Sequence, residues 1–142
     1  MVGSLRICVD TNVLVRAVVS AGDAAGEEGR QSQQAASLLR GAEQVVVSSI
    51  VLCEFVWVLR SVYKYSFAEI AVAIRALAAA TNVVCDRRAV AAGLTIGLAG
   101  GDFADGVIAE AGFVAGADIF VSFDQRAVKL IMASGRHAMV PQ

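Results

Sequence analysis

Apolar residues in this chain fall into short dense runs and longer spaced ones, and the two kinds alternate. The runs Leu5 to Val9 (LRICV), Val45 to Val47, Asn82 to Cys85 and Ile119 to Val121 are short and rich in β-branched residues, which predicts strands. His137 to Val140 predicts a last one. Between them lie segments with helical spacing. These are Thr11 to Val19, Ser32 to Leu39 ending near Gly41, a segment capped by Ser48 or Ser49 that runs to about Val62, and Phe67 to Ala79. Ser66-Phe67-Ala68-Glu69 matches a capping box, in which Ser and Glu side chains satisfy the first free N–H groups of a helix. Asp86 is placed to cap a helix towards Leu98, Asp102 to Ala115 follows the pair Gly100-Gly101, and Asp124 opens a helix that ends near Gly135. Ser20 to Gln31 is small, polar and Gly-rich, and is predicted to be a loop and the mobile segment.

Strand and helix in alternation predict an α/β fold around a parallel sheet, whose strands, covered by helices on both faces, read as unbroken apolar runs. The 142 residues suit a single domain spanning 1–142. Composition first pulls elsewhere, because 57% hydrophobic residues and a mean hydropathy of +0.66 suggest a membrane protein. Ala and Val supply much of that value, and Glu54 and Arg75 interrupt the longest runs, so no stretch reaches the roughly 20 residues that span a bilayer. The N-terminus has no basic region followed by an apolar stretch and a cleavage site, so the expectation is a cytoplasmic protein without a membrane segment. Cys8, Cys53 and Cys85 lie in apolar runs without CxxC spacing and are expected to be buried thiols. With His137 as the one histidine, a Cys/His zinc site or His-based catalysis has almost no material.

Acids remain. In an open parallel sheet the binding crevice lies beyond the carboxyl ends of the strands. Asp10 ends the first strand and Asp124 follows the strand IFVSF. Asp86 also follows a strand, but Arg87 and Arg88 open a helix behind it and a plain cap accounts for it. Glu54 sits in IVLCEFVWVLR, where apolar neighbours are expected to shield it and an ionised carboxylate would need a partner. The alternative is a solvated glutamate on a narrow polar stripe with Ser61. Asp102 and Asp105, three apart at a helix start, share a face, and each also suits a cap or first-turn acid.

If Asp10, Glu54, Asp105 and Asp124 converge, each pair about 6 Å apart repels by roughly 3 kcal/mol at an effective dielectric near 20. An ordinary small domain holds such a set only by protonation or by binding a cation. All-oxygen ligands without lysine call for a hard dication, Mg²⁺ or Mn²⁺, whose bound water can attack a phosphodiester. Net charge is −1, yet removing these four acids and Asp102 from the 13 leaves eight against 12 basic groups. That balance of +4, mostly Arg, suits a phosphate backbone.

These residues fall into motifs. Val9-Asp10-Thr11-Asn12-Val13-Leu14 resembles the opening motif of PIN-domain nucleases, and Val51-Leu52-Cys53-Glu54 with Val56-Trp57-Val58-Leu59 resembles the second. Gly101-Asp102-Phe103-Ala104-Asp105-Gly106-Val107-Ile108-Ala109 is similar to the third, and Phe120-Val121-Ser122-Phe123-Asp124 to the fourth. Order, spacing and length together resemble the VapC toxins of bacterial toxin–antitoxin pairs. The resemblance implies a three-layer sandwich with a central, mostly parallel sheet of four or five strands flanked by helices. It implies an Mg²⁺-dependent endoribonuclease, with Mn²⁺ as a substitute, acting on tRNA or other structured or single-stranded RNA and leaving a 5′-phosphate and 3′-hydroxyl. By the same resemblance Asp10 and Asp105 are the metal ligands, Glu54 and Asp124 complete the catalytic acids, and Asp102 is auxiliary. Thr11, Asn12 and Ser122 would orient carboxylates or the attacking water, and Arg126 meets a phosphate or is simply solvated. A homodimer and a VapB-like antitoxin are implied as partners. Trp57, Tyr63, Tyr65 and Phe67 surround a predicted helix junction, with core packing as their main expected role and partner contact as the alternative. One departure is Gly106, where many relatives carry Ala, which is expected only to weaken its helix slightly.

Two other readings compete. A metal-dependent phosphatase or nucleotide hydrolase of the haloacid type also places Asp after a first strand, but needs a second Asp where this chain has Asn12. A non-catalytic interaction module would keep the fold without the acids, and here all are present.

Overall fold

Hydrogen bonding in the computed structural model, which describes residues 4–19 and 26–142, gives twelve elements, with one or two helices after each of the first four strands. The chain divides into two compact units, Met1–Cys85 and Asp86–Gln142.

In the first unit β1 (Arg6–Cys8), β2 (Gln44–Val46) and β3 (Val83–Val84) form a parallel ladder in the order β1-β2-β3. Its helices are α1 (Thr11–Val18), α2 (Glu27–Gly41), α3 (Ser49–Ser61) and α4 (Phe67–Ala79). Local chemistry sets their starts. The Ser48 hydroxyl accepts from the Val51 N–H at 3.2 Å and the Ser66 hydroxyl from Glu69 N–H at 3.2 Å, each satisfying a donor the helix cannot. The core collects Leu14, Val45, Val47, Leu52, Phe55, Leu59, Ile70 and Ile74, all fully buried. In α3 the buried residues Leu52, Phe55, Val56 and Leu59 follow the i, i+3, i+4, i+7 spacing of one face.

Several expectations need correction here. The helix α2 begins at Glu27, not Ser32, and of the expected loop residues 20–25 lie outside the described part of the chain. Val45 and Val83 are buried, while Val46 and Val84, pointing the other way because successive side chains of a strand alternate, are 39% and 42% exposed. Trp57 is 65% exposed and so does not pack in the core, whereas Tyr63 and Tyr65 are half-buried with stacked rings at 6.3 Å. Cys8 is exposed, and Cys53 and Cys85 are half-buried.

The second unit contains α5 (Arg87–Leu98), α6 (Phe103–Val114), β4 (Phe120–Val121), α7 (Gln125–Ala133) and β5 (Ala138–Met139). Strands β4 and β5 pair in parallel as a ladder of their own. Among the described residues each ladder, of three strands and of two, is thus parallel within itself. Ile96, Ala109 and Ile131 form the core, with Phe113, Phe120 and Leu130 packed on it. Helices α5 and α6 touch backbone to backbone: a Cβ at Gly106 would collide with the Ala92 carbonyl oxygen and stand 2.8 Å from the Gly93 Cα. The Phe103 ring fills the matching space over Gly93. Gly106 is therefore a packing requirement of this helix pair, and not a slight loss of helix propensity. Among the described residues no helix is long and apolar enough to cross a membrane.

Candidate active site

Asp10 and Asp124 stand at helix starts just beyond a strand, and Asp102 and Asp105 at the start of α6, where free backbone N–H groups attract negative charge. Asp10 follows β1 and is the N-cap of α1, accepting from Thr11 N–H at 2.8 Å. Thr11 behind it is buried at 7% exposure, and its Oγ1 has no hydrogen-bond partner among the described residues. A buried hydroxyl without a partner carries a desolvation cost, which a ligand or an ordered water would relieve. Asn12 is exposed on the first turn.

Glu54 corrects the expectation made of it. It is exposed, not shielded, because α3 packs through Leu52, Phe55, Val56 and Leu59 and turns Glu54 to the same side as Ile50 and Trp57, which are 73% and 65% exposed. Its apolar neighbours in sequence are on the far side of the helix or are themselves exposed.

In the second unit three acids come together. Asp102 is the N-cap of α6, accepting from Ala104 N–H at 3.0 Å, and Asp105 lies half-buried in the first turn. Asp124 follows β4 and caps α7, accepting from Arg126 N–H at 2.9 Å and Ala127 N–H at 3.1 Å. Ser122 Oγ accepts from the Asp124 backbone N–H at 3.0 Å, which fixes the turn that aims Asp124. Burial raises the Asp105 carboxyl above its ordinary value of 3.8, and the charges of Asp102 and then Asp124 raise it further. The Asp105 site is thus a place where negative charge is costly and a cation would be welcome.

As they stand, these acids are neighbours and not a closed coordination sphere: among the described residues no three His, Cys, Asp or Glu side chains are gathered closely enough to hold a metal ion. Asp102 and Asp124 each commit one oxygen, Oδ1, to a cap. The donor set is nevertheless all-oxygen and acidic, the chemistry that suits a hard dication. Asp86 is the plain cap expected of it, accepting from Arg88 and Ala89 N–H groups. Arg126 is exposed, with its guanidinium over the turn at Gly100, whose φ of +94° favours glycine.

Sequence reasoning missed a further ionic feature. Glu110 of α6 is 8% exposed and holds Arg88 of α5 at 3.1 Å and Arg136, beyond α7, at 3.1 Å. The Arg136 guanidinium also lies 4.0 Å from the centre of the Phe113 ring. These side chains border a cavity of about 300 Å³. Arg136 is less exposed than Arg88, 41% against 74%, and has the added ring contact. Arg136→Ala should therefore lower the urea midpoint more than Arg88→Ala, with a loss of about 1–2 kcal/mol for the first. Equal losses would show that the ring contact and partial burial add nothing.

The family model for the PIN domain matches residues 7–130, which includes all four acidic motifs and draws on both units. This chain belongs to the PIN-domain family. The PIN domain is a nuclease-type α/β fold, and the parallel strands and seven helices described above agree with it. Comparison with curated proteins returned no match.

Proposed function

We propose that this PIN-domain protein is a VapC-like endoribonuclease that cuts RNA with a divalent metal ion and is neutralised by a VapB-like antitoxin. The observation that carries the reading is Asp105, a half-buried acid raised by burial and by Asp102 and Asp124, inside the third acidic motif of a nuclease-type family. A housekeeping enzyme of the phosphatase kind has no such support, since Asn12 stands where its second aspartate belongs.

Asp10 and Asp105 would hold Mg²⁺ or Mn²⁺, with Glu54 and Asp124 completing the catalytic acids and Asp102 assisting. We further propose that the acids of both units serve one reaction within a single domain, a reading supported by the unbroken family match across 7–130. A bound dication supplies an activated water and offsets charge on the phosphodiester. Ser122 holds Asp124 in place through its backbone N–H, and the Thr11 hydroxyl, without a partner among the described residues, is available to position a carboxylate or a water. Asn12, on the exposed first turn of α1, offers an amide to the same end. The substrate is tRNA or another structured or single-stranded RNA, cut to a 5′-phosphate and a 3′-hydroxyl. A cytoplasmic homodimer completes the proposal; exposed Ile50, Trp57 and Val62 along α3 and the residue after it are the kind of apolar surface that partners cover.

The purified protein is expected to cleave RNA with Mg²⁺ or Mn²⁺ and to lose at least a hundredfold in rate in excess chelator. Asp10→Asn should lose a similar factor while keeping the wild-type circular dichroism spectrum. Cleavage undiminished by chelator would overturn the mechanism.

A further inference from the structure

A second feature of the first unit points to how the substrate is held. Helices α1 and α2 leave between them a cavity of about 480 Å³, a volume typical of small-ligand sites. Its lining from α2, Gln31, Gln34, Ala35 and Leu38, follows the i, i+3, i+4, i+7 spacing of one helix face. That face would ordinarily be apolar throughout; here two of its four positions are amides, and Ala35 is too small to fill the space. The lining from α1 includes Asn12 and Arg16, one turn apart. Arg16 Nε donates to Gln31 Oε1 at 3.0 Å, which fixes the guanidinium while leaving its two terminal nitrogens for another acceptor. Among the described residues Arg16 is the charged group of the lining, and Glu27, outside it, accepts from Gln31 Nε2 at 3.3 Å.

We propose that this cavity binds one unpaired nucleotide of the RNA, with the base against Ala35 and Leu38, the base edge on the amides of Asn12 and Gln34, and a phosphate on Arg16, which Gln31, itself held by Glu27, keeps in place. Amide donors and acceptors around an apolar floor match the edge and face of an unstacked base, and a fixed guanidinium matches phosphate. Position supports it. Asn12 is two residues beyond Asp10, and at 1.5 Å per residue Arg16 stands about 9 Å along the helix from Asp10, so a nucleotide seated here adjoins the proposed cleavage chemistry. The inference rests on the ribonuclease reading for its choice of ligand, and its test separates the two.

In excess chelator, where no cutting occurs, each of the four ribonucleoside 5′-monophosphates is titrated into the full chain and followed by NMR. The expected result, with at least one of them, is movement of the side-chain amide signals of Asn12, Gln31 and Gln34 and of Arg16 Nε, with Gln44 and Asn82 unmoved. With Mg²⁺ and an RNA substrate, exposed Gln34→Ala should raise KM roughly tenfold with kcat nearly constant, the pattern of lost uniform binding. Signals that stay fixed at millimolar nucleotide, or move only with a peptide, overturn the proposal, as does a Gln34→Ala KM equal to wild type. If wild type fails to cut RNA while the amide signals still move, the nuclease reading falls and the nucleotide site stands.

Discussion

Asp105→Asn should abolish RNA cleavage, by at least a hundredfold in kcat/KM, and yet leave the metal-free protein at neutral pH more stable than wild type. Both effects come from one carboxylate. Burial first, and then the charges of Asp102 and Asp124, hold the Asp105 carboxyl above its ordinary value of 3.8. The folded chain therefore binds that proton more tightly than the unfolded chain does. It follows that the stability this group confers is complete below 3.8, declines as pH rises from 3.8 through the raised folded value, and is gone above it. Asparagine is neutral at every pH and skips the decline. Thermal melts in chelator from pH 3 to pH 8 should show the two proteins alike at the acid end and the variant ahead at pH 7. Added Mg²⁺ or Mn²⁺ should then raise the wild-type midpoint at pH 7 and move the variant less, because a ligand that binds only the folded state stabilises it. A variant less stable than wild type in chelator at pH 7 would mean that Asp105 holds the fold together and is not a strained site for a cation.

How far the sequence spoke depended on whether the deciding physics was local. Caps were legible, since a Ser or Asp oxygen reaching an N–H two or three residues on is a short-range bond: Ser48, Ser66, Asp86, Asp102 and Asp124 all make it. Strand positions were legible to within a residue or two at each end. The start of helix α2 was not, because among its residues only Gly29 and Ala35 are buried, and its polar first turns have no apolar period to read. Its Glu27 and Glu28, in the first turn where the helix dipole favours acids, were the available signal.

The contrast between Glu54 and Glu110 is more instructive. Both sit among apolar neighbours in sequence, and the rule that such a carboxylate is buried and needs partners holds for Glu110 alone. Phase decides between them. In α6 the buried residues Phe103, Gly106 and Val107 set a stripe whose next position, seven after Phe103, is Glu110. In α3 the stripe through Leu52, Phe55, Val56 and Leu59 passes Glu54 by. A count of apolar neighbours misled where a count of helical phase would not have. The partners of Glu110 were beyond reach either way, because Arg136 lies 26 residues on and only the tertiary fold brings it back.

Gly106→Ala tests the tertiary claim against the local one and should destabilise the protein by about 2 kcal/mol. Helix propensity alone predicts the opposite, a gain of about 1 kcal/mol when glycine in a helix interior becomes alanine. What outweighs it is the neighbouring helix: the new Cβ would strike the Ala92 carbonyl oxygen, 2.7 Å from the Ala92 carbonyl carbon and 2.8 Å from the Gly93 Cα. These are backbone atoms, so no rotamer change relieves the contact and α5 and α6 must move apart. Separation also loosens the Phe103 ring from its seat over Gly93, at the start of the helix that carries Asp105. The thermal midpoint should fall by roughly 6 °C for a chain of this size. Gly112→Ala is the control, since it lies in the same helix and its nearest neighbour is the Ala117 Cβ at 3.9 Å, ordinary contact. There the propensity gain acts alone and the midpoint should rise. Parallel rises at both positions would mean that the two helices do not approach as described.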